Sequence, residues 1–121
     1  MVRNILDKLI SKKITCIAFE YIKEDDGSFP VLSQLSEIAG KASILISSEL
    51  LSNTTKSGKG LFFGNLSGVP PTEIVIIGSG NVAKSAAITA TKLGSRVKLF
   101  SNSIFRLNQI KGHLGFFNEL N

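Results

Sequence analysis

Residues 73–83 read EIVIIGSGNVA, an unbroken apolar run that meets two glycines and an alanine spaced G-x-G-x-x-A. No other stretch restricts the fold as much. The run EIVII (73–77) predicts a strand buried on both faces, as in a parallel sheet. The alanine-rich segment NVAKSAAITATKL (81–93) predicts a helix stopped by Gly94, and RVKLF (96–100) predicts a second strand. Strand, turn, helix and strand make a βαβ unit, whose crossover is right-handed in nearly all proteins. Each small residue in the turn has a physical reason. Gly78 permits the tight turn, Gly80 lets backbone approach phosphate oxygens, and Ala83 lets the helix lie against the strand. The helix start at Asn81 and Val82 aims free N–H groups and a positive dipole end at an anion. The bare spacing would fit any strand-to-helix turn. The strand before it and the helix and strand after it point to a dinucleotide.

The rest of the chain supplies less regular signals. Residues 2–12 place Val2, Ile5, Leu6, Leu9 and Ile10 on one helical stripe, and ITCIAFE (14–20) predicts a strand. YIKEDDGSFPVLSQ carries turn chemistry at Asp26-Gly27 and an extended residue before Pro30, which predicts a loop. Helical periodicity returns from Ser36 to about Leu51, with Ile38, Ala42, Leu45, Ile46 and Leu50 on its expected buried side. Gly40 inside that helix costs about 1 kcal/mol relative to alanine, which predicts close packing against it. Residues 52–72 hold Gly58, Gly60, Gly64, Gly68, Pro70 and Pro71 and read as a linker. A last helix is expected from Ser103 to 115.

Composition removes several function classes. At 121 residues the chain offers one domain's worth of core, not a complete two-domain enzyme. No apolar stretch approaches the roughly 20 residues that span a bilayer, and MVRNILDKLISKKI lacks the apolar core of a signal peptide. Neither membrane association nor a metal site is expected. Cys16 is the only cysteine, which fits a reducing, cytoplasmic compartment, and its apolar neighbours predict a buried, inert thiol. The net charge is +5, but basic residues are dispersed and only Lys12-Lys13 are adjacent, so nucleic acid is not an expected partner.

One element of the dinucleotide pattern is missing. An acidic residue about 20 positions beyond the turn ordinarily grips the ribose hydroxyls. Here Ser101 follows the second strand, and no carboxylate lies between Glu73 and Glu119. Asn102-Ser103 supply no positive charge for a 2′-phosphate either, so this stretch selects neither NAD nor NADP.

Three stretches together carry a resemblance. AFEYIKEDDGSFPVLSQLSEIAG, GKGLFFGNLSGVPPTEIVIIGSGNVAKSAA and LGSRVKLFSNSIFRLNQI occur in the order found in the alanine dehydrogenase family, which shares its fold with the cofactor-binding component of pyridine nucleotide transhydrogenases. The segment SFPVLSQLSEIAG resembles the dehydrogenases more than the transhydrogenase component. The resemblance implies an α/β fold: a Rossmann-type parallel sheet with flanking helices, incomplete, made of the first βαβ unit plus a preceding strand and a bridging helix. It implies that residues 1–35 end a substrate domain, 36–72 form the bridging helix and connector, and 73–121 open a cofactor domain.

Carried over by position, the resemblance implies cofactor contacts from Ser36, Gly78, Gly80, Asn81, Val82, Ala83, Ser101 and Arg106. It implies NAD as cofactor, with NADP compatible. In the intact enzyme, hydride would pass from L-alanine to NAD, and the imine would hydrolyse to pyruvate and ammonia. The family's catalytic lysine and histidine fall before these stretches and its catalytic aspartate after them. No catalytic residue is therefore expected here, and His113 reads as a surface residue. A fragment of a homo-oligomeric enzyme is the leading expectation. A transhydrogenase component, or a short non-catalytic nucleotide-binding module, is the alternative.

Overall fold

The computed structural model describes residues 2–54 and 56–114. The chain divides into two units between Leu32 and Ser33. In the first, α1 (Val2–Ser11) carries the expected apolar stripe, although Ile5, Leu6 and Ile10 are exposed. The expected strand over 14–20 does not form. Residues 14–18 have no regular structure, and Phe19–Tyr21 make one 3-10 turn. β-branched and aromatic residues favour strands through cross-strand neighbours, and among the described residues none pairs with this segment. Cys16 is accordingly exposed, not buried as its neighbours had suggested. The Asp26-Gly27 turn is present: Gly27 (φ 82°) donates its N–H to the Glu24 carbonyl at 2.9 Å.

Helix α2 spans Pro30–Leu51 and so starts six residues before the expected Ser36. Proline is favoured in the first helical turn, where its missing N–H has no partner to lose. The loop expected through Gln34 therefore ends at Phe29. The buried side of α2 also differs from expectation. Gly40 and Ile44 are buried, whereas Ile38, Leu45, Ile46 and Leu50 are exposed and Ala42 is intermediate. Aliphatic residues surround most of this helix, so periodicity alone cannot choose its packed face.

Strands β1 (Glu73–Ile77) and β2 (Arg96–Phe100) pair in parallel, with Ile74 opposite Val97 and Ile76 opposite Leu99. Helix α3 (Asn81–Lys92) is the crossover between them, and α4 (Ile104–Leu114) follows β2. The core joins Ile44, Phe63, Ala86, Ala87, Ala90, Val97, Leu99 and Ile110, with Ile74, Ile76 and Leu107 packed against it. Fully burying each large aliphatic side chain contributes about 1.5–3 kcal/mol. The alanines of α3 contribute closeness instead of bulk. β1 is not buried on both faces: Val75 and Ile77, on the side away from this core, are exposed, as is Phe100 of β2.

Two hydrogen bonds fix the C-terminal end of the crossover helix. Gly94 (φ 88°) donates to the Thr91 carbonyl at 2.9 Å, and Ser95 donates to that of Ala90 at 3.1 Å. This is a Schellman stop, as the sequence implied. The glycine-rich stretch 52–72 is no free linker, since Phe63 is buried in the core and Thr72 Oγ1 donates to the Phe62 carbonyl.

Candidate functional site

The glycine turn closes the sheet and opens α3. Gly78 donates its N–H to the Phe100 carbonyl at 2.8 Å, one rung beyond the last strand pair. Its φ of 127° lies where side chains are strained, so the turn itself demands glycine. Gly80 is different. As N-cap of α3 it has φ −79° and ψ −177°, an extended conformation open to any residue. A Cβ built there meets nothing within 4 Å. Neither backbone strain nor packing explains the glycine, but the space is one that a ligand can use. Gly80 accepts the Lys84 N–H at 2.9 Å, and the first N–H groups of α3, including those of Asn81 and Val82, have no intrahelical partner by geometry. Ala83 Cβ lies 3.9 Å from where a Gly78 side chain would begin.

Helix α2 braces this start. Ser85 Oγ donates to the Glu37 carbonyl at 3.0 Å. A Cβ on Gly40 would run into the Val82 carbonyl oxygen and come within 2.6 Å of Ser85 Cβ. The close approach inferred from Gly40 is therefore between α2 and α3. Asn81 Nδ2 reaches Ser33 Oγ at 3.4 Å, a long contact. Ser36 is half-buried on the same helix. The groove of about 400 Å³ between these helices is lined by Ser33, Glu37, Lys41, Asn81 and Lys84, and Ser36 is not part of its lining. Lys41 Nζ donates to Glu37 Oε1 at 2.6 Å. This hydrogen bond first, then the Lys41 charge and that of Lys84, holds the Glu37 carboxyl below its ordinary range.

On the other side of the turn, Ser101 Oγ lies 2.6 Å from Ser79 Oγ and accepts the Ser103 N–H at 3.1 Å. Ser103 Oγ in turn accepts the Arg106 N–H at 3.4 Å at the start of α4. The exposed Arg106 side chain faces a cleft of about 240 Å³ together with Ser79, Gly80, Asn81, Lys84 and His113. Lys84 Nζ donates to His113 Nε2 at 3.1 Å, and His113 Nδ1 donates to the Gln109 carbonyl at 2.7 Å. His113 is exposed, as the sequence implied. Gly80 and Asn81 also border a second groove of about 530 Å³ with Ser43, Ile44, Ile77 and Val82. An elongated ligand lying over Gly80 would thus have room on both sides of the turn. Sequence reasoning missed Ser33, Ser79 and Lys84. The middle position of Ser79 in the turn and the (i, i+4) relation of Gly80 to Lys84 were signals available, whereas Ser33 had none, since only the fold shows that α2 begins at Pro30.

Comparison with known proteins decides the family. The sequence model described as "Alanine dehydrogenase/PNT, C-terminal domain" matches residues 43–117, more than half of the chain. The chain belongs to the alanine dehydrogenase/PNT family. The alanine dehydrogenase of Bilophila wadsworthia is 36% identical over 107 residues, covering 88% of this chain and 28% of the relative. That of Methanococcus maripaludis is 40% identical over 99 residues, covering 82% of this chain and 26% of the relative. A solved L-alanine dehydrogenase superposes with a TM-score of 0.86 at 32% identity, covering 98% of this chain and 32% of that one. The chain thus spans roughly a quarter to a third of the length of these alanine dehydrogenases. Its α/β architecture is the Rossmann-type arrangement of the family, represented among the described residues by one βαβ unit.

Proposed function

We propose that this chain supplies the nicotinamide-dinucleotide cradle of an alanine dehydrogenase, the enzyme that converts L-alanine, NAD and water to pyruvate, ammonia and NADH. Gly80 carries the reading: an N-cap glycine in extended backbone, with open space where a side chain would stand. A cofactor pyrophosphate fits that observation, because backbone N–H groups can approach it only where no Cβ intervenes.

In this reading Gly78 shapes the turn, Gly80, Asn81 and Val82 present N–H groups to the pyrophosphate, and Ala83 keeps α3 close to β1. Ser101 and Arg106 stand toward the adenosine ribose, and Ser36 adds a contact from the bridging helix. The cofactor, NAD by resemblance, supplies hydride acceptance when bound. The residues of this chain bind and orient it. Residues 1–35 belong to the substrate domain, 36–72 to the bridge and 73–121 to the cofactor domain. The single cysteine accords with a cytoplasmic setting, and the complete enzyme is a homo-oligomer. No helix among the described residues is long and apolar enough to cross a membrane.

Calorimetric titration of the purified chain with NAD tests the cradle, and an assay with L-alanine tests the division of labour. Saturable NAD binding without alanine-dependent NADH production is the expected pair of results. Alanine-dependent NADH above a heat-killed control would overturn the assignment of catalysis to residues outside this chain. Absence of dinucleotide binding would overturn the cradle.

A further inference from the structure

A βαβ dinucleotide site reads NAD with a carboxylate at the end of its second strand, and accommodates the 2′-phosphate of NADP with a nearby arginine. In this chain the carboxylate position holds Ser101. The nearest residues after it are uncharged, but α4 brings Arg106 to the cleft that Ser79 and Gly80 also line, and α3 brings Lys84 to the same cleft. We propose that this ribose subsite takes a phosphomonoester, so that the chain binds NADP at least as tightly as NAD. The inference rests on the dinucleotide reading above and adds its specificity.

Four observations point the same way. Among the described residues, the lining of the cleft includes a lysine and an arginine from two different helices and no carboxylate. Ser79, which lines the cleft, is hydrogen-bonded at 2.6 Å to Ser101, which does not line it, so a neutral hydroxyl holds the place where a carboxylate would repel an anion. Glu37 on α2, whose carboxyl the Lys84 charge also helps to hold low, is hydrogen-bonded to Lys41 at 2.6 Å. At about 240 Å³ the cleft matches a ribose phosphate better than a whole dinucleotide, since pockets for drug-sized ligands begin near 300 Å³. A ribose phosphate brings about −1.5 to −2 charges and acceptor oxygens that suit a guanidinium fork. Both cofactors share the pyrophosphate assigned to Gly80 and Asn81, which line the same cleft, so the 2′ position, a neutral hydroxyl in NAD, is what distinguishes them.

The test is titration of the full chain with NAD, NADP, 5′-AMP and 2′,5′-ADP, the last pair isolating the ribose phosphate. NADP should bind at least as tightly as NAD, and 2′,5′-ADP about tenfold more tightly than 5′-AMP, the scale of one charge-assisted contact. Arg106→Ala should weaken NADP about tenfold more than it weakens NAD, because only NADP offers the guanidinium a 2′-phosphate. Ser101→Asp should reverse the order of the two cofactors, because a carboxylate gains the vicinal hydroxyls of NAD and repels the 2′-phosphate. NAD binding tenfold tighter than NADP, or equal losses for both in Arg106→Ala, overturns the specificity and leaves the cradle standing. If no dinucleotide binds, the cradle falls and the specificity falls with it.

Discussion

Ser79 Oγ and Ser101 Oγ, 22 residues apart in sequence, share a hydrogen bond of 2.6 Å. It ties the middle of the glycine turn to the residue that follows β2. The two sides of the proposed ribose subsite are thereby held in one geometry before any ligand arrives. Ser101 also accepts the Ser103 N–H, so its hydroxyl orders the entry to α4 as well. Replacing Ser79 by alanine removes one partner of the pair. The unfolding free energy should drop by about 0.5–1.5 kcal/mol, the net worth of one such bond. Urea denaturation of parent and Ser79→Ala checks this; equal midpoints would mean that the bond is not formed in solution.

Gly40 and Gly112 give opposite signs for the same substitution. At Gly40 a Cβ meets the Val82 carbonyl, Ser85 Cβ at 2.6 Å and the Ala86 nitrogen at 2.9 Å, two of them backbone atoms that cannot swing away. Overpacking of this kind costs about 1–3 kcal/mol, more than the helix propensity gained. At Gly112 in α4 a Cβ meets none of the described residues within 4 Å, so alanine should stabilise by about 0.5–1 kcal/mol. Thermal unfolding of the two variants should bracket the parent, with Gly40→Ala below it and Gly112→Ala above.

The two turn glycines separate fold from binding. Valine at Gly80 encounters no atom and no forbidden φ, and loses only about 1 kcal/mol from the poor capping ability of valine. It should nevertheless abolish dinucleotide affinity by filling the approach to the N–H groups. Valine at Gly78, at φ 127°, should damage the fold itself. Circular dichroism and NAD titration on both variants check this. Parental affinity in a folded Gly80→Val protein would show that the pyrophosphate lies elsewhere.

The Glu37–Lys41 pair sets a small acid dependence. Because the folded carboxyl is held below its ordinary value, the unfolded chain binds more protons through the acid range. The stabilisation is therefore complete above the ordinary carboxylate pKa and is lost as pH falls through the lowered one. Both side chains are largely exposed, so the effect is screened and small. In Lys41→Met the Glu37 carboxyl should titrate higher than in the parent, as followed by NMR of its side-chain carbon; an unchanged midpoint would assign the shift to another cause.

The βαβ unit was legible because its signals are local. An aliphatic run, two glycines with distinct duties and a glycine stop place β1, α3 and β2 within a residue or so. What could not be read depended on partners distant in sequence. The segment 14–20 has strand composition but no strand beside it among the described residues. Pro30 reads equally as a loop residue or as the first turn of a helix, and only the fold shows it to be the latter. Phe63 sits in a glycine-rich stretch that composition marks as a linker, yet it fills the core. In the candidate site, Ser101 and Arg106 are named by position. Lys84 was missed because its side chain acquires meaning only when α4 lies beside α3.

Amide chemical-shift mapping shows which backbone N–H groups meet the dinucleotide. With the chain uniformly labelled, NAD or NADP is added and each backbone N–H is followed. The largest movements are expected at Gly80, Asn81, Val82 and Ala83, with a second group at Ser101 and Arg106. Shifts centred away from residues 78–83, or none at millimolar cofactor, would contradict the proposed cradle.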